Sequence, residues 1–374
     1  PHSKTCPSRP WKYLVDKTQA PKPIDILSLS RTALTELVQK TDAPFRAKQI
    51  WRWFWKHGIR SFDEMSNVPE SLRPRLAEEC EIRQLEPVEQ QRAADGTIKF
   101  LFRLASDRHV ETVLIPDFGR EGRPSRMTVC VSSQVGCAMG CSFCATGLMG
   151  FQQNLTSGEI VEQIQRATTV AKESYDSPIT NVVFMGMGEP LLNYDAVLDA
   201  IEKLTAEDAM AMAARRITVS TVGLATRIRQ LADAATRFNL AVSLHSPFDS
   251  KRSSIMPVNR KAKTDLTALM ESIQYYTDKT GQSVTYEYCM FSGFNDTVAD
   301  AKELAKLVRK APSKVNLIMY NPVEGLGFSK SDEETLNAFI SQLVAERVIV
   351  TVRRSRGQDI DAACGQLAVQ NQTM

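Results

Sequence analysis

From residue 127 to residue 353 the chain repeats one pattern: a short β-rich run, then a longer stretch whose apolar residues recur at helical spacing. The runs are MTVCVSS (127–133), NVVFMG (181–186), RITVST (216–221), LAVSL (240–244), VTYEYCM (284–290) and KVNLIMY (314–320). A last run, RVIVTVR (347–353), follows one more helical stretch. Strands that alternate with helices pair in parallel, because a parallel connection needs a crossover long enough to hold a helix. Six such units in roughly 200 residues predict an α/β fold built on a partial (βα)6 TIM-type barrel over residues 127–355.

The flanking segments have a different texture. Residues 25–85 read as a small helical domain, with helices expected over 29–40 and 44–57, the second stopped by Gly58, and a short element from Asp63. Residues 86–126 predict a short antiparallel β extension: EQQRAA, an Asp95-Gly96 hairpin turn, TIKFLFRLA, then HVETVLIP. Residues 1–24, Pro-rich and basic, read as a flexible tail, and residues 356–374 as a C-terminal loop and tail.

The 374 residues are 43% hydrophobic and 24% charged, which excludes a disordered chain and permits a large core. No apolar run approaches the roughly 18 residues of a membrane span, so no membrane partner and a cytoplasmic location are expected, for a chain acting as a monomer. A net charge of +3 does not by itself identify a polyanionic partner. Three of the eight cysteines crowd into eight residues, a spacing that suits metal binding in a reducing compartment better than disulfides.

The polar motifs fall at strand ends. CAMGCSFC follows the first run, GMGEP the second, Ser220-Thr221 closes the third, Ser243-Leu244-His245 the fourth, and Asn321-Pro322 the sixth. Barrels of this kind assemble their sites at the C-terminal ends of strands, so these motifs are expected to meet in one cavity. Cys137, Cys141 and Cys144, spaced C-x3-C-x2-C, can each reach one iron of a cubane cluster and leave the fourth iron open. A structural zinc would need a fourth Cys or His close by, and residues 135–150 offer none. Glu189 in GMGEP can accept from an ammonium group, although a tight βα turn uses the same residue types. Ser220, Ser243, His245 and Asn321 are each ordinary strand-end polar residues and carry weight as a set. Cys364, between Gly357 and Gly365, is expected on a loop, and Cys130 on the first barrel strand; a buried structural cysteine is the alternative for each. Cys6, Cys80 and Cys289 have no chemical context and are expected to be inert.

The loop Cys137-Ala-Met-Gly-Cys141-Ser-Phe143-Cys144 resembles that of the radical S-adenosylmethionine (SAM) superfamily. The resemblance implies a [4Fe-4S] cluster whose open iron chelates SAM, with one electron cleaving SAM to methionine and a 5′-deoxyadenosyl radical. It implies SAM contacts at Gly188, Glu189, Ser220, Ser243, Leu244, His245 and Asn321. VET (110–112), CVSSQVGC (130–137), MGMGEPLLN (185–193), SLH (243–245) and RGQDIDAACGQL (356–367) narrow it, over roughly residues 25–367, to the RlmN/Cfr family of radical SAM RNA adenine methyltransferases. Pro190 and the RGQDIDAACGQL ending are similar to the RlmN branch, which methylates adenine C2 in 23S rRNA, at the peptidyl-transferase centre, and beside the anticodon of tRNA. The Cfr branch, which methylates C8, is the alternative.

What this implies is a reaction that consumes two SAM molecules per turnover. One methylates Cys364; the radical from the other takes hydrogen from that S-methyl group, and the resulting carbon joins the base. Glu111 would accept the C2 proton, and Cys130 would attack Cys364 sulfur, release the RNA and leave a transient disulfide. An external reductant such as a flavodoxin system is implied. Lys48, Arg52 and Lys56 recur every four residues, with Arg60 next in series beyond Gly58, and form a candidate RNA-binding stripe opposite an apolar face of Ile50, Trp51, Phe54 and Trp55. A solvated cationic face would read the same way. Arg215, Arg216, Arg353, Arg354 and Arg356 are placed near the cavity rim as phosphate contacts. The competing readings are a radical SAM enzyme for a peptide or small molecule, and a zinc-bearing RNA-binding module.

Overall fold

The computed structural model describes residues 23–119 and 122–369. Most of the expected N-terminal tail, with Cys6, and the last five residues lie outside them. Ten strands among the described residues form one sheet: β1 (Glu86–Arg92), β2 (Ile98–Arg103), β3 (His109–Phe118), β4 (Pro124–Cys130), β5 (Asn181–Phe184), β6 (Ile217–Thr221), β7 (Asn239–Ser243), β8 (Val284–Met290), β9 (Ser313–Met319) and β10 (Val350–Arg353). Their spatial order is their chain order. β1 to β4 pair antiparallel, and β4 to β10 pair parallel throughout.

The seven parallel strands coincide with the seven runs read from the sequence, and every crossover carries a helix. β4 and β10 are not paired with each other, so the barrel is partial. Strands covered on both faces read as continuous apolar runs; six of the seven residues of β8 are buried. The crossover helices start where side chains satisfy their free N–H groups. Thr156 and Glu159 form a capping box ahead of the helix Ser157–Tyr175, and Thr297 and Asp300 another ahead of Val298–Val308.

Two strand limits differ from the sequence reading. The first barrel strand ends at Cys130, because residues 131–134 leave the sheet and Gln134–Gly136 pairs with Phe151–Asn154 in a small hairpin that frames the cysteine loop. The antiparallel β extension continues the barrel sheet through β3 and β4 rather than standing beside it.

Residues 31–79 form the helices Arg31–Gln39, Phe45–Trp55 and Leu72–Glu79, and the paired strands Ile24–Asp25 and Cys80–Glu81 tie the segment's ends together. Ile50, Trp51, Phe54 and Trp55 are buried, while Lys48, Arg52 and Lys56 are exposed on the other face. The stripe stops there. The helix ends at Trp55, Gly58 takes a left-handed conformation (φ +67°), and Arg60 turns inward to an ion pair with the buried Glu162.

Candidate active site

The cavity sits at the C-terminal ends of the parallel strands and holds about 900 Å³ of empty space, part of it open to solvent. Cys137, Cys141 and Cys144 line one wall; Gly186, Gly188 and Glu189 follow from β5, Ser220 and Thr221 from β6, Ser243 and His245 from β7, and Arg353 and Cys364 from the chain's end. Five motifs scattered over more than 200 residues thus share one space.

The cysteine loop is held by contacts that need its glycines. Cys137 N–H donates to Gly150 O (3.0 Å), and a Cβ on Gly136 would sit 1.7 Å from that same oxygen. The GMGEP glycines serve a close approach as well: a Cβ on Gly186 would lie 2.7 Å from Ser132 Oγ and Val131 O, and one on Gly188 2.5 Å from the Gln134 side chain. Gln134 Oε1 accepts from Glu189 N–H (2.8 Å), which locks the two motifs together.

Glu189 is buried. Its carboxylate accepts from the N–H groups of Leu191 (3.0 Å) and Val222 (2.8 Å), and burial still pushes it up to about 7. It keeps unused acceptor capacity facing the cavity, where a cation would restore its charge. His245 is buried with a positive φ (+56°), and its Nδ1 accepts from Cys289 N–H (2.9 Å). Burial lowers its pKa to about 3, so the ring is neutral with the proton on Nε2 as a donor.

The C-terminal loop folds back onto the cysteine loop. Ala145 N–H donates to Gly365 O (2.8 Å) and Thr146 Oγ1 to Leu367 O (2.5 Å), which presents the exposed Cys364 beside the cluster motif. Cys130, the last residue of β4, is a buried free thiol. Burial pushes it up to about 12 and raises the Cys364 thiol as well, with Arg353 opposing both shifts. Glu111 on β3 is buried; Val113, two residues on, pairs with Cys130, so Glu111 and Cys130 share a sheet face. Lys99 Nζ lies 3.3 Å from one Glu111 oxygen, and the other has no partner. Burial raises its pKa, with Lys99 opposing.

Several expected site residues stand elsewhere. Leu244 is fully buried in the core and does not line the cavity. Asn321 is also off the wall: its Nδ2 donates to Cys364 O (3.3 Å) and its Oδ1 accepts from Gln358 (2.7 Å), so it braces the C-terminal loop. Arg215 and Arg216 precede β6 and therefore lie at the N-terminal end of the sheet, away from the cavity rim, where Arg216 reaches Asn181 at the start of β5. Arg353 points inside rather than lying on the rim, Arg354 is exposed, and Arg356 pairs with Asp117 (3.4 Å). Sequence reasoning missed Glu287 and Lys99. Glu287 had a signal, a carboxylate inside an otherwise apolar strand.

The three cysteine thiols fit a cluster. Burial raises all three, Cys137 to about 12, so their thiolates need a metal's positive charge. Among the described residues no three His, Cys, Asp or Glu side chains converge on a single-ion site, which a zinc would demand and a cubane with one thiolate per iron does not.

The comparisons with known proteins agree. Residues 24–82 match the model of the ribosomal RNA large subunit methyltransferase N-terminal domain, and residues 131–308 that of the radical SAM superfamily. The chain is 57% identical over 346 residues to a probable dual-specificity RNA methyltransferase RlmN of Salinibacter ruber, covering 92% of this chain and 94% of that protein. This chain belongs to the RlmN family. A dual-specificity RNA methyltransferase RlmN of Nitratidesulfovibrio vulgaris is 45% identical over 348 residues, covering 92% of this chain and 94% of its own. A crystal structure of a radical SAM methyltransferase from Sphaerobacter thermophilus superposes with a TM-score of 0.83 at 43% identity, covering 92% and 99% of the two chains. As an RlmN-family member the chain is a SAM-dependent radical methyltransferase whose cofactors are a [4Fe-4S] cluster and SAM. No helix among the described residues is long and apolar enough to cross a membrane.

Proposed function

We propose that the enzyme methylates C2 of adenine in 23S rRNA and in tRNA, with Cys364 carrying the methyl group. The observation that carries this reading is a pair of thiols outside the cluster motif that share the charge of one side chain, Arg353: Cys364 lines, with Arg353, the cavity framed by Cys137, Cys141 and Cys144, and Cys130 is buried behind it at the end of β4. A radical SAM enzyme for a small molecule has no use for such a pair. Adenine C2 is electron-poor and does not accept a methyl cation, which is why a thiol intermediate and radical chemistry are needed there.

Cys137, Cys141 and Cys144 would hold the cluster, and Glu189, with Gly188, Ser220, Ser243 and His245, would orient SAM. When bound, the cluster and SAM supply a carbon-centred radical from one electron, delivered by an external donor of the flavodoxin class, and a second SAM supplies the methyl group. Cys364, the exposed thiol, loses its proton and accepts that methyl by displacement, with S-adenosylhomocysteine leaving; after one hydrogen atom is abstracted from the S-methyl group its carbon bonds to C2, and the adduct returns its unpaired electron to the donor couple. Glu111 takes the C2 proton, its raised pKa making it a stronger base than an ordinary carboxylate and its unpartnered oxygen free to receive it. Cys130 loses its proton and attacks Cys364 sulfur; the S–S bond forms as the bond from sulfur to the methylene on C2 breaks, that carbon takes the electron pair and a proton to become the methyl group, and external thiols then reduce the disulfide. Lys48, Arg52 and Lys56 would meet RNA phosphates.

Nucleoside mass analysis of rRNA and tRNA from cells with and without the gene tests the reading. 2-Methyladenosine that depends on the protein and disappears with Cys364→Ala supports it. 8-Methyladenosine would move the enzyme to the Cfr-type reaction, and no methyladenosine in either RNA would defeat the proposal.

A further inference from the structure

Arg252 is fully buried (0% exposed) on the helix Asp249–Ile255, yet among the described residues no carboxylate forms an ion pair with it. Its Nη2 donates to Val222 O (2.6 Å) and its Nη1 to Asn259 Oδ1 (3.1 Å), while its Nε has no partner. Asp249 is reached only through Asn259, whose Nδ2 donates to it (3.0 Å). A buried, unpaired guanidinium is expensive unless negative charge is brought to it. The structure shows where that charge belongs. Ile255 O, at the end of the same helix, accepts from Ser142 N–H (3.0 Å) inside the cysteine loop, and Val222 lines the same cavity as Cys141.

We infer that the Arg252 guanidinium is the buried counter-charge of the iron–sulfur cluster, favouring its reduced state. Three thiolates outweigh the charge of the oxidised cubane core, and reduction adds one more negative charge in a site walled off from water, where a fixed cation acts with little screening. The role differs from that of the residues that would bind SAM, because it acts on the cluster whether or not SAM is present. It rests on the reading that Cys137, Cys141 and Cys144 hold the cluster.

The test is a redox titration, by electron paramagnetic resonance and without SAM, of anaerobically reconstituted wild type, Arg252→Gln, Arg252→Lys and Asn259→Asp. Arg252→Gln is expected to load four irons and to lower the reduction equilibrium constant about tenfold, a shift of about 59 mV to more negative potential for one electron. Arg252→Lys should recover most of that shift. Asn259→Asp sets a carboxylate against the guanidinium with the arginine in place, so it should shift the potential the same way even if Arg252→Gln does not fold. Loaded variants at the wild-type potential overturn the inference. So does an unchanged potential accompanied by weakened SAM binding, which would assign the guanidinium to the SAM carboxylate. Wild-type protein that holds no four-iron cluster overturns the cluster assignment and this inference with it, whereas wild-type loading with unshifted variants overturns this inference alone.

Discussion

His245 stores a measurable amount of acid sensitivity. Its pKa falls from 6.5 to about 3 through burial, with Arg252 adding to the effect, while its Nδ1 accepts from Cys289 N–H. A depressed folded-state pKa contributes stability that is present above 6.5 and lost as pH falls toward 3. Between pH 7 and pH 5 the unfolded chain takes up most of a proton at this site and the folded chain almost none, which costs about 2 kcal/mol of stability. Glu189 acts in the opposite sense. Its pKa is raised from 4.5 to about 7, so its stabilising protonation is lost as pH rises through 7, and lowering the pH from 7 to 5 restores about 2 kcal/mol. The two effects nearly cancel in the wild type, and a simple pH profile hides both. His245→Asn separates them: Asn tolerates a left-handed backbone and its Oδ1 can accept the Cys289 N–H, but it does not titrate. Urea unfolding of the iron-free proteins at both pH values should show the wild-type advantage over the variant shrinking by about 2 kcal/mol at pH 5. An advantage that stays constant between the two pH values would refute the burial argument for a neutral ring.

Cys130→Ala should accumulate a covalent protein–RNA adduct under turnover, visible as a shifted band on denaturing gels; turnover without adduct would sink the resolving role. Gly136→Ala places a Cβ where Gly150 O stands, and iron content after reconstitution should fall sharply while far-ultraviolet circular dichroism stays near wild type. Lys99→Met removes the cation beside Glu111, so the carboxyl titrates higher and the limb of the pH–rate profile that reports the base should move to alkaline pH. Lys48→Glu with Arg52→Glu should weaken RNA binding and reduce the salt slope by roughly 2, whereas Arg215→Glu with Arg216→Glu should leave both nearly unchanged in a filter-binding assay.

What could be read from the chain follows its local physics. Parallel strands announce themselves as short apolar runs between amphipathic helices, and the C-terminal end of each is fixed by chain direction, so Glu189, Ser220, Ser243 and His245 could be placed in one cavity without coordinates. The same rule should have excluded Arg215 and Arg216, because residues that precede a parallel strand stand at its other end, about 16 Å away for a five-residue strand. Asn321 obeyed the rule and still left the wall: the neighbour that captured it, Cys364 O, lies 43 residues further on in a loop with no periodic signal. Arg252 was invisible for a related reason. It sits among short helices inserted into the β7 to β8 crossover, and nothing in LHSPFDSKRSSIMPVNRK marks one basic residue of several as buried. Its burial becomes meaningful only once Val222, Asn259 and the cysteine loop close around it and no carboxylate does. The residues that alternation reveals are therefore those that bind, and the residue left for the folded chain to reveal is one whose charge makes sense only with the cluster in place.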